Sequence, residues 1–326
     1  MSLTSCLRAL ALALLPGFLA LSAHADHYPV KPVKLLVPYP AGAPVDNFAR
    51  GFSEEISKLW GQNMVIDNRG GANEIIAGTA LVQAPADGYT LMLGSDALFT
   101  QNAFLYSKVP YNSDKDITPI LRAVEFNMVL IVRSSLNVKS LKEFVALMKK
   151  EGAQHHYGSA GAGGTTHLAM ESLKQEAGFN MNHVPYKGIA PAMQDLLGGN
   201  IDALIAGASA AIAQMPSGKV RVLAIAGKQR AKALPDVPTY AEQGYPNVVS
   251  NLYLGFATPA GTPAAVVEKF QMDAAKVLND KKFVEKFVDP YGYEVIADTT
   301  KQFEAFLKQD KVSAGQRIKQ LGIKLD

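Results

Sequence analysis

Tyr157-Gly158-Ser159-Ala160-Gly161-Ala162-Gly163-Gly164-Thr165-Thr166-His167-Leu168 is the stretch around which the chain is organised. The helix-breaking Glu151-Gly152 and a short run ending at Tyr157 precede it, while Leu168, Ala169, Leu173 and Ala177 follow at helical spacing. Strand, glycine turn and helix start therefore succeed one another. The first amides of such a helix have no partner within it and point at whatever lies in front. Their partial positive charge favours an anion, and glycines let it come close to the backbone. Ser159, Thr165 and Thr166 add hydroxyls. The stretch predicts a site that holds a carboxylate or phosphate by dipoles rather than by formal charge.

Nucleotides fit it poorly. A dinucleotide loop needs Gly-x-Gly-x-x-Gly with an acid about 20 residues on. Here Thr166 stands where the third glycine belongs, and Gly178 to Val184 contains no acid. A P-loop needs Gly-Lys-Ser/Thr, and no lysine lies between Tyr157 and His167. A small anion remains.

Residues 1–25 read as a secretory signal peptide: Arg8 is the only charge, Ala9 to Leu21 is apolar, and Ala23-His24-Ala25 is a small-x-small cleavage signature. Cleavage after Ala25 and export to the periplasm are expected. Cys6 is the only cysteine, so the remaining chain has no disulfide and must be stabilised by its own core. Outside the leader 31 basic residues face 29 acidic ones, with no basic block, which disfavours nucleic acid. The length suits two domains.

Val33 to Val37 is a strand-length apolar run, broken by Pro38 to Val45, and Asp46 is placed to cap a helix through Phe48, Phe52, Ile56 and Leu59. Met64 to Ile66 is the next strand. It leads through Asn68-Arg69-Gly70-Gly71-Ala72 to Asn73, placed to cap a helix through Ile76, Ala80 and Val82. Tyr89 to Leu93 is a third strand, ending at Gly94-Ser95-Asp96. This alternation predicts an α/β chain with a largely parallel sheet. The turn-rich stretch from Lys108 to Pro119 is expected on the surface, and Ser140-Leu141-Lys142-Glu143 as a capping box. Thr262-Pro263 should open a helix with proline first. Val124 to Val132 and Val248 to Ala257 are long extended runs, read as segments crossing between two domains. Residues 26–125 and 252–326 would then form domain 1 and residues 126–251 domain 2, with a cleft between them.

Six motifs match a known family in order: Val37-Pro38-Tyr39-Pro40-Ala41-Gly42, Asp67-Asn68-Arg69, Asp87-Gly88-Tyr89-Thr90-Leu91, His183-Val184-Pro185-Tyr186-Lys187-Gly188, Pro235-Asp236-Val237-Pro238-Thr239 and Pro259-Ala260-Gly261-Thr262-Pro263. From about Tyr28 onward the chain resembles the Bug receptors, the periplasmic capture components of tripartite tricarboxylate transporters. The resemblance implies a two-lobed α/β periplasmic-binding-protein type II fold, with mixed sheets flanked by helices and a ligand cleft between the lobes. It also implies a small organic acid held between Tyr39 to Asp46 and Ser159 to Thr166 by backbone amides and ordered waters, with no cofactor. Three departures stand at positions that face the ligand in the family. Ala43-Pro44-Val45 replaces further glycines and a threonine, Ala162 and Gly164 replace asparagine and threonine, and Ala206 replaces an aspartate. A less polar or bulkier ligand, an aromatic or a longer-chain acid, is therefore expected.

The candidate contacts are Tyr39, Ala41, Gly42, Ala43, Asp46, Ser95, Ser159, Ala162, Gly163, Thr165, Thr166, Ala206 and Ser209, with Asp46 better suited to a helix cap because a carboxylate repels an acid. Asp96 and Lys187 are weaker candidates. His155 and His156 are adjacent and would point to opposite faces of a strand, and His167 and His183 have no ligand-spaced partner, so a metal is not expected. An exported hydrolase is the rival from another class. Gly207-Ala208-Ser209-Ala210-Ala211 lacks the second glycine of a nucleophile elbow, and no histidine follows His183. The partner is expected to be a membrane transporter, with a membrane sensor kinase as the alternative, and the receptor is expected to be monomeric.

Overall fold

The computed structural model describes residues 28–325, apart from 228, 232, 249 and 250. The expected signal peptide and its cleavage site lie outside the described residues.

The chain alternates strand and helix as its apolar runs dictate. The first lobe opens with β1 (Val33–Val37), α1 (Pro44–Trp60), β2 (Met64–Asn68), α2 (Ile75–Val82) and β3 (Thr90–Ser95). A π-helical turn (Ala97–Gln101) leads into α3 (Asn102–Leu105), and β4 (Ile117–Arg133) then carries the chain across. The second lobe holds α4 (Leu141–Glu151), β5 (His156–Ser159), α5 (Thr165–Ala177), β6 (Asn182–Pro185), α6 (Ile189–Gly198), β7 (Ala203–Gly207), α7 (Ala208–Ile212) and β8 (Val220–Ile225). β9 (Asn251–Pro259), α8 (Ala264–Leu278), α9 (Lys281–Phe287), β10 (Tyr293–Val295) and α10 (Thr300–Leu321) complete the first lobe.

The strands form one curled sheet in the order β2-β1-β3-β9-β4-β7-β5-β6, with β10 and β8 also paired to β4. β4 joins the lobes: through Asn127 it pairs with β9, and from Met128 it pairs with β7, with β8 joining it from Val129. The register then decides where the loops go. Ser95 pairs with Leu254, and Leu254 with Val124, so the carboxyl ends of the parallel β1, β2 and β3 come level with β4 just before it changes partners. Gly207 pairs with Met128, and β5 and β6 run parallel to β7, so their carboxyl ends point at the same crossing from the other side. Such carboxyl-end crevices are where α/β sheets bind ligands.

Both faces of the first-lobe sheet are covered, which is why β1 reads as a continuous apolar run. Leu35 and Val37 join Phe48, Phe52, Phe256, Phe270 and Phe283 on one face, while Leu36 meets Leu81, Met92, Tyr253 and Phe303 on the other. Each such fully buried aromatic contributes roughly 1.5–3 kcal/mol relative to exposure. In the second lobe Val129, Ile131 and Leu204 pack with Ala192 and Leu196, and Tyr157, Phe144 and Leu173 fill the opposite face.

Several local readings shift. α1 begins at Pro44 rather than at Asp46, because proline has no N–H to lose at the first position. Asp46 therefore lies inside the first turn, and Leu59 faces solvent. Asn73 does not cap α2: Ala72, Asn73 and Glu74 take φ values of 46°, 49° and 71°, and the helix opens at Ile75. Pro263 is itself the cap of α8. Ser140 accepts the Glu143 amide at 3.2 Å, but the Glu143 carboxylate reaches back to the amide of Lys139 instead of closing the box. Tyr111 and Ile117 are buried despite their turn-rich surroundings. α10 also reaches beyond the first lobe, since Gln175 of α5 donates to the Gln320 carbonyl at 3.3 Å.

Candidate functional site

Three structures converge where the two sets of carboxyl ends meet. The first is the loop from Tyr39 to Asp46. Asp46 is wholly buried and works as its tie, accepting from the Gly42 amide and Arg50 Nε at 2.8 Å each and from Asn68 Nδ2 at 2.7 Å. Burial opposes its ionisation, but the bonds from Arg50, Asn68 and Gly42 outweigh it and hold the carboxyl below its usual range. Ala41 and Gly42 are exposed at the tip and Ala43 is half-buried.

The second is centred on Glu74, a residue for which the sequence reading had no role. It is buried and accepts from Tyr39 OH at 2.8 Å, Ser95 Oγ at 2.6 Å and the Ser95 amide at 3.0 Å. Burial raises its pKa, and burial followed by the Glu74 charge raises that of Tyr39. Next to Ser95 stands Asp96, also buried, which accepts from Gln101 and from its neighbouring amide on Ala97. Burial, then Asp310 and Glu74, push the Asp96 carboxyl up to about 8.

The third is the glycine loop with the start of α5. Thr165 Oγ1 donates across the gap to Asp96, 3.0 Å and 3.1 Å from its two oxygens. Thr166 Oγ1 accepts the Ala160 amide at 2.9 Å. Ser159 is wholly buried: its Oγ lies 2.7 Å from His183 Nε2, donates to the Gly161 carbonyl at 3.0 Å and accepts the Gly161 amide at 3.2 Å. The three hydroxyls that the sequence offered to a ligand are thus engaged within the protein, where they hold the loop. Gly163 donates its amide to His167 Nδ1 at 2.9 Å. Among the described residues, the amides of Ala162, Thr165 and Thr166 have no partner, and Ala162 is exposed. Peptide dipoles are what this loop has left to offer an anion.

Ser159 and His183 have the spacing of a nucleophile and its base. The serine hydroxyl is nonetheless sealed from solvent and bonded twice to Gly161.

The lobes touch at two further places. A Cβ built on Gly164 would lie 3.9 Å from Asn73 Oδ1, and Asn73 is locked to Asn102 by reciprocal 2.8 Å bonds. Near Ser209, in the first turn of α7, a Cβ on Gly292 would meet Ala208 Cβ at 3.2 Å. Ala206 is buried in β7 opposite Val129, and Lys187 is exposed. The structure thus links loop 39–46 to Ser95 through Glu74, and Asp96 beside it to Thr165 of the glycine loop. Asn73, Glu74, His167 and His183 are additions. The second glycine loop, Gly70-Gly71, was the signal for Asn73 and Glu74, and the sequence reading spent Asn73 on a helix cap.

Two cavities lie elsewhere. One of about 430 Å³ lies beside Asn102 and Tyr111, and one of about 580 Å³ runs along α10 beside Val312 and Ile318. Among the described residues no group of three or more His, Cys, Asp or Glu converges as a metal would need, and no helix is long and apolar enough to cross a membrane.

The family model described as "Tripartite tricarboxylate transporter family receptor" matches residues 48–323. Protein BugT of Bordetella pertussis (strain Tohama I) is 31% identical over 326 residues, covering 100% of each chain. The solved periplasmic binding protein BugD superposes with a TM-score of 0.82 at 33% identity, covering 91% of this chain and 100% of its own. Rpa4515 of R. palustris, solved with adipate, gives 0.85 at 29% identity, again covering 91% and 100%. With the family model spanning most of the two-lobed fold, the chain belongs to the tripartite tricarboxylate transporter receptor family, whose members are periplasmic solute-binding receptors and not enzymes.

Proposed function

We propose that this receptor captures a small carboxylic acid, most suitably a dicarboxylate, in the gap between its lobes and delivers it to a tripartite tricarboxylate-type membrane transporter. One observation carries the reading: the register of β4 brings the carboxyl ends of both strand sets toward one crossing, where, among the described residues, the amides of Ala162, Thr165 and Thr166 have no partner. One carboxylate would lie on those amides and the other toward the tip of loop 39–46, with waters completing the bonds. Tyr39, Ala41, Gly42, Ala43 and Ser95 then line the first-lobe side, and Ala162, Thr165 and Ser209 the second, while Asp46, Ser159, Gly163 and Thr166 hold the loops and Ala206 packs in the core of β7. Residues 126–251 would move as one lobe against 26–125 and 252–326, hinged at the two crossing segments, and the closed form would be the one the membrane subunits recognise. The chain would act as a monomer in the periplasm after losing residues 1–25.

The small side chains at Ala43 and Ala162 favour an extended, weakly substituted acid, and the adipate in Rpa4515 supports that choice. A thermal-shift screen of the chain from Asp26 against mono-, di- and tricarboxylates tests this, because a ligand raises the melting temperature by mass action. Linear dicarboxylates should shift it most. Tight binding of citrate alone, or of no acid, would end the proposal.

A further inference from the structure

The loop that this reading places on the ligand carboxylate is held from beneath by two imidazoles. His167 and His183 stack with ring centroids 3.9 Å apart and planes 10° from parallel, and Tyr157 stacks on His183 at 4.9 Å. Each ring grips a different part of the loop. His183 Nε2 meets Ser159 Oγ at 2.7 Å, and that oxygen is bonded to both the amide and the carbonyl of Gly161. His167 Nδ1 accepts the Gly163 amide at 2.9 Å. Gly163 holds φ +71° there, and its amide lies between those of Ala162 and Gly164.

We propose that His167 and His183 are positioning residues of the carboxylate-binding loop, and that the pair is an acid-sensitive brace: neutral imidazoles fix the loop, and protonation releases it. The proposal rests on the reading that this loop holds the ligand. Its core is geometric. The Gly163 amide needs an unprotonated Nδ1, whereas an imidazolium carries N–H on both nitrogens and would set one N–H against another. Two stacked cations at this separation would also repel each other. The groups facing the stack are Glu171 and Lys174 of α5, Tyr157 of β5 and Ser159. Glu171 is already bonded to the Tyr157 hydroxyl and ion-paired to Lys174 at 2.6 Å, so it has a partner other than either ring. Burial accordingly lowers the pKa of His167, and burial with the neighbouring His167 pushes His183 down to about 4. A histidine depressed by folding stabilises the fold fully above its unfolded pKa and loses that contribution as pH falls toward its folded one. The brace should therefore be intact at neutral pH and fail as pH falls through the folded values, which for His183 is about 4.

The first test needs no variant and no ligand. In isotope-labelled protein spanning Asp26 to Asp326, the Gly163 amide and the imidazole resonances are followed by NMR from pH 8 to pH 3, far enough below the His183 value to titrate both rings. Loss of Gly163 amide protection in step with His167 protonation supports the brace; protection that persists after both rings have titrated overturns it. The second test compares H167F, which keeps a stacked ring and loses the acceptor, with H167N, whose Oδ1 stands near the lost Nδ1. H167F should expose the Gly163 amide and weaken adipate binding at pH 7.5 about tenfold, the scale of one lost hydrogen bond, and H167N should recover most of both. Equal behaviour of the two variants overturns the proposal. If adipate fails to bind even the unaltered chain, the function reading is at fault, and the amide measurement decides the brace alone.

Discussion

Thr165 Oγ1, at the amino end of α5 in one lobe, lies 3.0 Å and 3.1 Å from the two carboxylate oxygens of Asp96, at the end of β3 in the other. This bond fastens the lobes together, and it sets a carboxyl of the protein's own at the helix end that favours an anion. At an ordinary pKa, Asp96 would repel an acidic ligand from the gap. Burial, with Asp310 and Glu74 nearby, lifts it to about 8, so the group is largely neutral at neutral pH and serves as a latch without that repulsion.

The first prediction concerns this latch. A carboxyl whose folded pKa is raised stabilises the fold fully below its unfolded value and loses that contribution as pH rises through the folded one. Between pH 4 and about 8 the wild-type melting temperature should therefore carry a declining term that Asp96→Asn removes. Calorimetry across that range should show the variant gaining on the wild type as pH rises, and its affinity for a dicarboxylate at pH 8.5 should exceed the wild type's. Parallel pH curves for the two proteins would refute the latch.

Gly163 gives the second. A Cβ there would come within 2.3 Å of Leu325 Cδ1, and the φ of +71° is costly for any other residue. The tail is anchored by the Leu325 amide on the Leu105 carbonyl at 3.0 Å. Gly163→Ala should cost about 2–3 kcal/mol in urea unfolding, about 1–2 of it backbone strain. Adding Leu325→Ala to Gly163→Ala should recover only the clash, so a double-mutant cycle should show positive coupling.

Glu74 supplies the third. It receives three hydrogen bonds in a buried place, and burial has already raised its pKa. A neutral isostere should fit: Glu74→Gln is expected to cost less than about 1 kcal/mol, and Glu74→Ala, which strands the Ser95 amide and two hydroxyls, about 2–3 kcal/mol. Equal losses for the two would show that volume, not hydrogen bonding, sets the cost.

Asp46 behaves in the opposite sense. Its depressed carboxyl stabilises the fold fully above its ordinary pKa and loses that contribution as pH falls through the lower folded value. Asp46→Ala should cost about 2 kcal/mol at pH 7, and progressively less as pH falls below the ordinary carboxylate range. Dicarboxylate affinity should drop with it, because loop 39–46 loses its tie to Gly42 and Asn68. A gain in affinity would place Asp46 against the ligand instead.

The sequence was informative wherever the governing interactions are local. Apolar runs marked β1 and β3, and the glycine loop announced the start of α5. Cap positions were misjudged by a residue or two at Pro44 and Pro263, because a fixed φ competes with side-chain capping there. At Asn73 the misreading had another cause: the bonds to Asn102, 29 residues away, hold three consecutive residues in the left-handed region.

By itself, then, the sequence determined the strand–loop–helix order, the long run of β4 and the glycine turn that opens α5, all of which follow from neighbours along the chain. Only the tertiary structure decided which polar groups are spent within the protein. The hydroxyls of Ser159 and Thr165 looked available until His183 and Asp96 were brought to them from 24 and 69 residues away. A hydrogen bond depends on distance in space, and in this sheet the register of β4 sets that distance.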